Sequence, residues 1–181
     1  MTTRFDVYAV GNALVDLEYR VDDTFLQSQN IEKGVMTLAE ADMQARLLSA
    51  LDNQHTREKQ ASGGSAANSI IAASAFGSRC FYSCKVASDS LGDFYRKDLI
   101  AAGVSTNLQE QRPEGVSGTC VVMVTPDSER TMNTYLGITA DVSVSELDLD
   151  ALRASRWLYI EGYLSTSESA RAAVALARTE A

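Results

Sequence analysis

Proline, histidine and cysteine are scarce, with 2, 1 and 3 copies in 181 residues. The cysteines, Cys80, Cys84 and Cys120, are odd in number and show no CxxC spacing. That argues against a disulfide framework or a thiolate zinc site and leaves core thiols. With His55 the only histidine, any Ser-His-Asp or Cys-His chemistry would have to use it, and it lies in the polar run Asp52-Asn53-Gln54-His55-Thr56-Arg57-Glu58-Lys59, which reads as a solvated loop. Basic residues are also few: 16 Lys+Arg against 24 Asp+Glu give a net charge of −8, which argues against nucleic acid or an anionic membrane as the main partner. No apolar run approaches the roughly 18 residues of a spanning helix. The start, Met1 to Asp6, has no apolar signal core, so a cytoplasmic protein is expected. Two phosphate-binding patterns are missing as well. Lys33, Lys59, Lys85 and Lys97 follow Glu32, Glu58, Cys84 and Arg96, never glycine, so there is no GxxxxGK[ST], and GxGxxG does not occur.

What the chain does contain is an alternation of strand and helix patterns. Phe5 to Val10 is β-prone and ends at Gly11-Asn12, the punctuation of a buried strand in an α/β fold. Leu17 to Val21 alternates as a half-exposed strand does, and Asp22-Asp23-Thr24 can cap a short helix. Val35-Met36 reads as a short strand, and Thr37-Leu38-Ala39-Glu40 has capping-box spacing that opens a helix to about Asp52. A small-residue helix is expected over 66–76 with Gly77 behind it, a strand over 80–86, and an amphipathic helix over 91–102 closed by Gly103. Thr119 to Thr125 and Arg130 to Leu136 flank Pro126-Asp127-Ser128-Glu129 as a hairpin, Trp157 to Glu161 reads as a buried strand, and a helix follows from Ser167. That last helix has no capping glycine before Ala181 and looks cut. The fold class is therefore α/β, a mostly parallel sheet covered on both faces plus a small second sheet.

Two constellations could carry chemistry. In Ser62-Gly63-Gly64-Ser65-Ala66-Ala67-Asn68 a glycine pair feeds a helix start, where free N–H groups favour a polar or anionic atom; a plain strand-to-helix turn accounts for it equally. In Gly11-Asn12-Ala13-Leu14-Val15-Asp16 a carboxylate lies just past the first strand, placed either to accept from two neighbouring sugar hydroxyls or simply to be solvated.

Gly63-Gly64-Ser65-Ala66-Ala67-Asn68, Gly77 and Val86-Ala87-Ser88-Asp89-Ser90-Leu91-Gly92 resemble the first motif of the ribokinase-like (PfkB) carbohydrate kinases. Val10 to Asp16 and Gly115-Val116-Ser117-Gly118-Thr119-Cys120 are similar to the adenosine-kinase branch. Ala87, where the family has glycine, and Ile70, where it prefers a small residue, depart from the pattern at packing positions. The resemblance implies ATP with Mg2+ as phosphoryl donor, room for a monovalent cation, and a nucleoside (adenosine favoured) or sugar as acceptor. It implies that Asn12, Asp16, Gly63, Gly64 and Asn68 hold the acceptor, that Arg130 faces the phosphates, and that Leu136, Tyr163 and Leu164 flank a base. Residues 1–181 would be the N-terminal part of the domain, with lid strands near 15–21, 34–37, 118–125 and 130–136. The family's GAGD loop with its catalytic Asp does not occur before Ala181, so this portion alone is expected to be inactive. The family's Asn-x-x-Glu motif is not assigned to Asn107-Leu108-Gln109-Glu110, which lies too early and reads as an edge strand with solvated ends. A second expectation is a non-catalytic nucleoside- or sugar-binding module, or one assembled through its lid as a homodimer, because Cys120 to Val124 is apolar on both faces.

Overall fold

The computed structural model describes residues 4–181; the first three residues, part of the start that lacks a signal core, lie outside the described residues. The chain order is β1 (Phe5–Val10), β2 (Leu14–Arg20), α1 (Asp23–Ser28), β3 (Met36–Leu38), α2 (Ala41–Gln54), β4 (Arg57–Gly63), α3 (Ser65–Ala75) and β5 (Cys80–Ser83). It continues with α4 (Ser90–Ala101), β6 (Val104–Thr106), β7 (Gly118–Val124), β8 (Arg130–Tyr135), α5 (Leu149–Arg153), β9 (Ser155–Ile160) and α6 (Glu168–Glu180).

The first sheet is parallel, in the order β6-β5-β1-β9. One of its faces packs Ala9, Tyr82 and Val104 against α3 and α4; the other buries Phe5, Tyr8, Val10 and Phe81 beneath α5 and α6. The small residues of α3 let it lie close to the sheet, and Ala66, Ala67 and Ile70 are its buried side. The second sheet is mixed, in the order β3-β8-β7-β2-β4. Along β2 the alternation is plain: Val15, Leu17 and Tyr19 are buried, with Leu14, Asp16 and Glu18 between them only half-buried. The buried set joins Phe25 and Leu26 of α1 and Leu47 and Leu51 of α2 in one core. Among the described residues no helix is long and apolar enough to cross a membrane.

Local signals set several boundaries. Asp22 accepts from the Phe25 N–H at 2.8 Å and caps α1, and Asp89 accepts from the Gly92 N–H at 2.7 Å and caps α4. The three cysteines are buried. Other expectations are corrected. Thr37 belongs to β3, and α2 begins after Glu40, which makes no side-chain cap, so strand pairing with β8 overrides the capping-box spacing. The run 52–59 is no loop: α2 reaches Gln54, β4 starts at Arg57, and His55 packs edge-on against Phe25 with ring centroids 4.8 Å apart. β4 is polar because it is an edge strand, paired only with β2. The strand expected over Trp157 to Glu161 forms, as β9, but among the described residues it is paired only with β1 and Trp157 is 68% exposed rather than buried. On the far side of the parallel sheet Asn107 follows β6, and its amide both accepts from the Cys84 N–H and donates to the Cys84 carbonyl, each at 3.0 Å, a packing role.

Candidate functional site

The two constellations meet where both sheets converge. β1 ends in Gly11-Asn12, the chain crosses into β2, and β2 pairs antiparallel with β4, so that Leu14 lies opposite Gly63 and Asp16 opposite Ala61. The Asp16 carboxylate lies directly against the Gly63 Cα: a Cβ built on Gly63 would fall inside it. Gly64 follows with φ +98° and packs on the Asn12 carbonyl. Only glycine allows both the conformation and the approach. The Asn68 N–H donates to the Gly64 carbonyl at 3.0 Å, which places Asn68 on the first turn of α3.

Asp16 is half-buried and makes no hydrogen bond among the described residues, so burial pushes its pKa up from 3.8 to about 6. The positive charges of Arg130 and Lys59 work against that rise, and the negative charge of Glu18 adds to it. Arg130, at the start of β8, lies within the electrostatic reach of Asp16. Neither cation forms an ion pair among the described residues. The side-chain amides of Asn12 and Asn68 likewise have no protein partner among the described residues, although Asn12 is only 9% exposed.

Leu136 follows β8 and caps the 3-10 turn Gly137–Asp141, its carbonyl packed on Gly118, which also touches Leu14. Tyr163 and Leu164 stand in the 3-10 turn Gly162–Thr166 and part company there. Tyr163 is 58% exposed, whereas Leu164 is buried with Val142, Leu152 and Ala170 beneath the parallel sheet and reaches only the wall of a cavity that it shares with Ile160, Glu161 and Val174. Among the described residues no group of three or more His, Cys, Asp or Glu is placed to hold a metal ion. The chemistry these residues can perform is that of gripping a neutral polyol. A carboxylate accepts from two hydroxyls, flanking amides both donate and accept, and cations stand nearby.

Sequence reasoning missed the groups behind the grip. Glu161, 4% exposed, accepts from the Asn12 N–H at 2.5 Å, from the Ser65 hydroxyl at 2.6 Å and from the Ala66 N–H at 3.1 Å. The negative group at the start of α3 is thus the protein's own carboxylate. The buried hydroxyls of Tyr82 and Tyr95 donate to the carbonyls of Asn12 and Gly63 at 2.9 and 3.0 Å, and the Thr139 hydroxyl accepts from the Ala13 N–H at 2.8 Å. One signal was available: Glu161 immediately follows a strand of an α/β sheet, the end where such folds bind ligands.

An α/β domain with a parallel sheet, a mixed second sheet and a glycine-pair helix start places the chain in the ribokinase-like fold class. The chain belongs to the pfkB family carbohydrate kinases, whose profile matches residues 33–181. It is 36% identical to the adenosine kinase of Sinorhizobium meliloti, whose structure superposes with a TM-score of 0.85 over 98% of this chain and 53% of that one. A probable sugar kinase protein from Rhizobium etli CFN 42 gives a TM-score of 0.85 at 34% identity, over 99% and 53%. Adenosine kinase 2 of Arabidopsis thaliana is 28% identical over 166 residues, 87% of this chain and 46% of the relative. The chain therefore spans about half the length of these relatives.

Proposed function

We propose that the complete protein transfers the γ-phosphoryl group of ATP, with Mg2+, to a hydroxymethyl oxygen of a nucleoside, adenosine first, and that residues 1–181 supply the acceptor grip and the lid. The observation that carries this reading is that Asp16, Asn12 and Asn68, whose side chains have no hydrogen-bond partner among the described residues, stand on the segments that meet at Gly63-Gly64. The buried amide of Asn12 and the half-buried carboxylate of Asp16 are costly unless a ligand completes them, while Asn68 is exposed and free to join, and a ribose diol offers the two O–H donors that an acceptor-only carboxylate lacks. The names of the S. meliloti and A. thaliana relatives support adenosine; the R. etli relative keeps a free sugar as the second acceptor class. In this reading the mixed sheet closes over the acceptor, Arg130 turns toward the phosphates, and the base that takes the hydroxyl proton lies beyond Ala181. Phosphoryl transfer is mostly positioning and electrostatics, so excluding water around a fixed acceptor is the contribution of this part.

Calorimetric titration with adenosine, ribose and fructose tests the reading, alongside ATP consumption with each. Adenosine is expected to bind, and Asn68→Ala to weaken it about tenfold, the loss of one or two hydrogen bonds, without moving the thermal midpoint, because that side chain is exposed and unpartnered. Equal affinity of the variant would remove Asn68 from the site, and binding of none of the three compounds would remove the function. Assembly through the lid is the second reading; Cys120 to Met123, which suggested it, are buried within the chain, and what supports it instead is Met36 and Leu38 on the edge strand β3, 44% and 61% exposed. Light scattering that finds only monomers at high concentration would dismiss it.

A further inference from the structure

Glu161 is the most deeply buried carboxylate near the grip, and no role as a ligand explains it, because both of its oxygens are already engaged. Its three partners are all donors: the Asn12 N–H, the Ser65 hydroxyl and the Ala66 N–H. Two of these belong to the first turn of α3, just after Gly64, and the third belongs to the turn between β1 and β2. These are the two segments that carry the unpartnered amides. On its other side the Asn12 peptide is fixed by the Tyr82 hydroxyl, which donates to its carbonyl at 2.9 Å. Glu161, just past β9, thus bolts together two turns immediately beyond the last β2–β4 pair, Leu14 opposite Gly63. A Cβ on Gly11 would meet the Ala66 Cβ at 2.5 Å and the Glu161 Cδ at 2.9 Å, so the three pieces touch without slack.

We propose that Glu161 is a positioning residue that sets Asn12 against the Gly64–Asn68 turn and so fixes the spacing of the acceptor grip. The inference rests on the acceptor site proposed above. The chemistry requires a carboxylate rather than any polar group: with two backbone N–H groups on opposite oxygens, an amide in its place must turn its NH2 toward one of them. Glu161→Gln, nearly identical in shape, therefore releases either Asn12 or the start of α3.

The test has two parts. In the complete enzyme, Glu161→Gln is expected to raise the acceptor KM about tenfold, the cost of one misplaced hydrogen-bonding partner, while the KM for ATP is unchanged. A merely structural role would lower kcat with the folded fraction and leave both KM values alone. In the chain itself, hydrogen exchange is expected to lose protection at the Asn12 and Ala66 amides and keep it in the strand centres of the parallel sheet. Should Glu161→Gln fail to fold, Ser65→Ala removes one donor from an exposed position, and a several-fold rise in acceptor KM is expected. An unchanged acceptor KM in whichever variant folds overturns the proposal. If the wild type turns over neither adenosine, ribose nor fructose, the acceptor reading is what has failed. Exchange then decides the role of Glu161 by itself: protection unchanged at both amides refutes the bolt, and its loss supports it.

Discussion

Replacing Asp16 by Asn is expected to give a more stable protein that grips its acceptor less well. The carboxylate is half-buried, receives no hydrogen bond among the described residues and titrates near 6 instead of 3.8, so its charged form is disfavoured in the folded state by about 2–3 kcal/mol. The sign follows from proton counting. Between the unfolded and folded pKa values the native state holds more protons than the unfolded one, so this group removes stability as pH rises from about 4 to 6 and keeps it removed above that. Below pH 4 wild type and Asp16→Asn should unfold at similar urea concentrations; at pH 7.5 the variant should be the more stable by about 1–3 kcal/mol. Adenosine affinity should move the opposite way, falling about ten- to a hundredfold with the loss of an ionised acceptor. In the wild type, affinity should likewise decline as pH drops through 6 and the carboxyl is protonated. Equal stability of the two proteins at pH 7.5 would mean that Asp16 is not under strain, and unchanged affinity would mean that it does not touch the acceptor.

That trade of stability for binding explains how far the sequence could be read. The glycine pair and the carboxylate after the first strand are local patterns, each confined to a few residues, so both were legible before any fold was known. The Asp16–Gly63 contact spans the β2–β4 pairing, and β4 was hidden by its composition. Arg57-Glu58-Lys59-Gln60 has the polarity of a loop because an edge strand facing solvent needs no apolar residues, only backbone pairing to β2. Trp157 to Ile160 is as apolar as a central strand, and among the described residues β9 is paired only by β1. Glu161 was invisible for another reason. Its partners are 95, 96 and 149 residues away in the chain, and no spacing rule reaches that far. Local signals locate the residues that meet a ligand, while those that hold them in place are found only in three dimensions.

The largest loss of stability is expected from Gly64→Ala, and a second glycine on the same helix separates its causes. Gly64 precedes α3 at φ +98° and Gly77 follows it at φ +93°, so alanine at either position is forced into a backbone region that side chains avoid, at about 1–2 kcal/mol. There the likeness ends. A Cβ on Gly77 would meet nothing within 4 Å, whereas one on Gly64 would overlap the Asn12 carbonyl, which cannot retreat because the Tyr82 hydroxyl donates to it and Glu161 grips the N–H of the same residue. Overlap with fixed backbone adds about 1–3 kcal/mol, so Gly64→Ala should cost about 2–5 kcal/mol and Gly77→Ala only the strain. Set against a total stability of about 5–15 kcal/mol, the first is a large fraction and the second is tolerable. Urea unfolding with matched slopes measures both. The acceptor should distinguish them further, since displacing Asn12 disturbs the grip while Gly77 lies at the far end of α3. Equal destabilisation by the two substitutions would mean that the Asn12 turn yields freely, and the site would then be an adaptable loop rather than a preformed one.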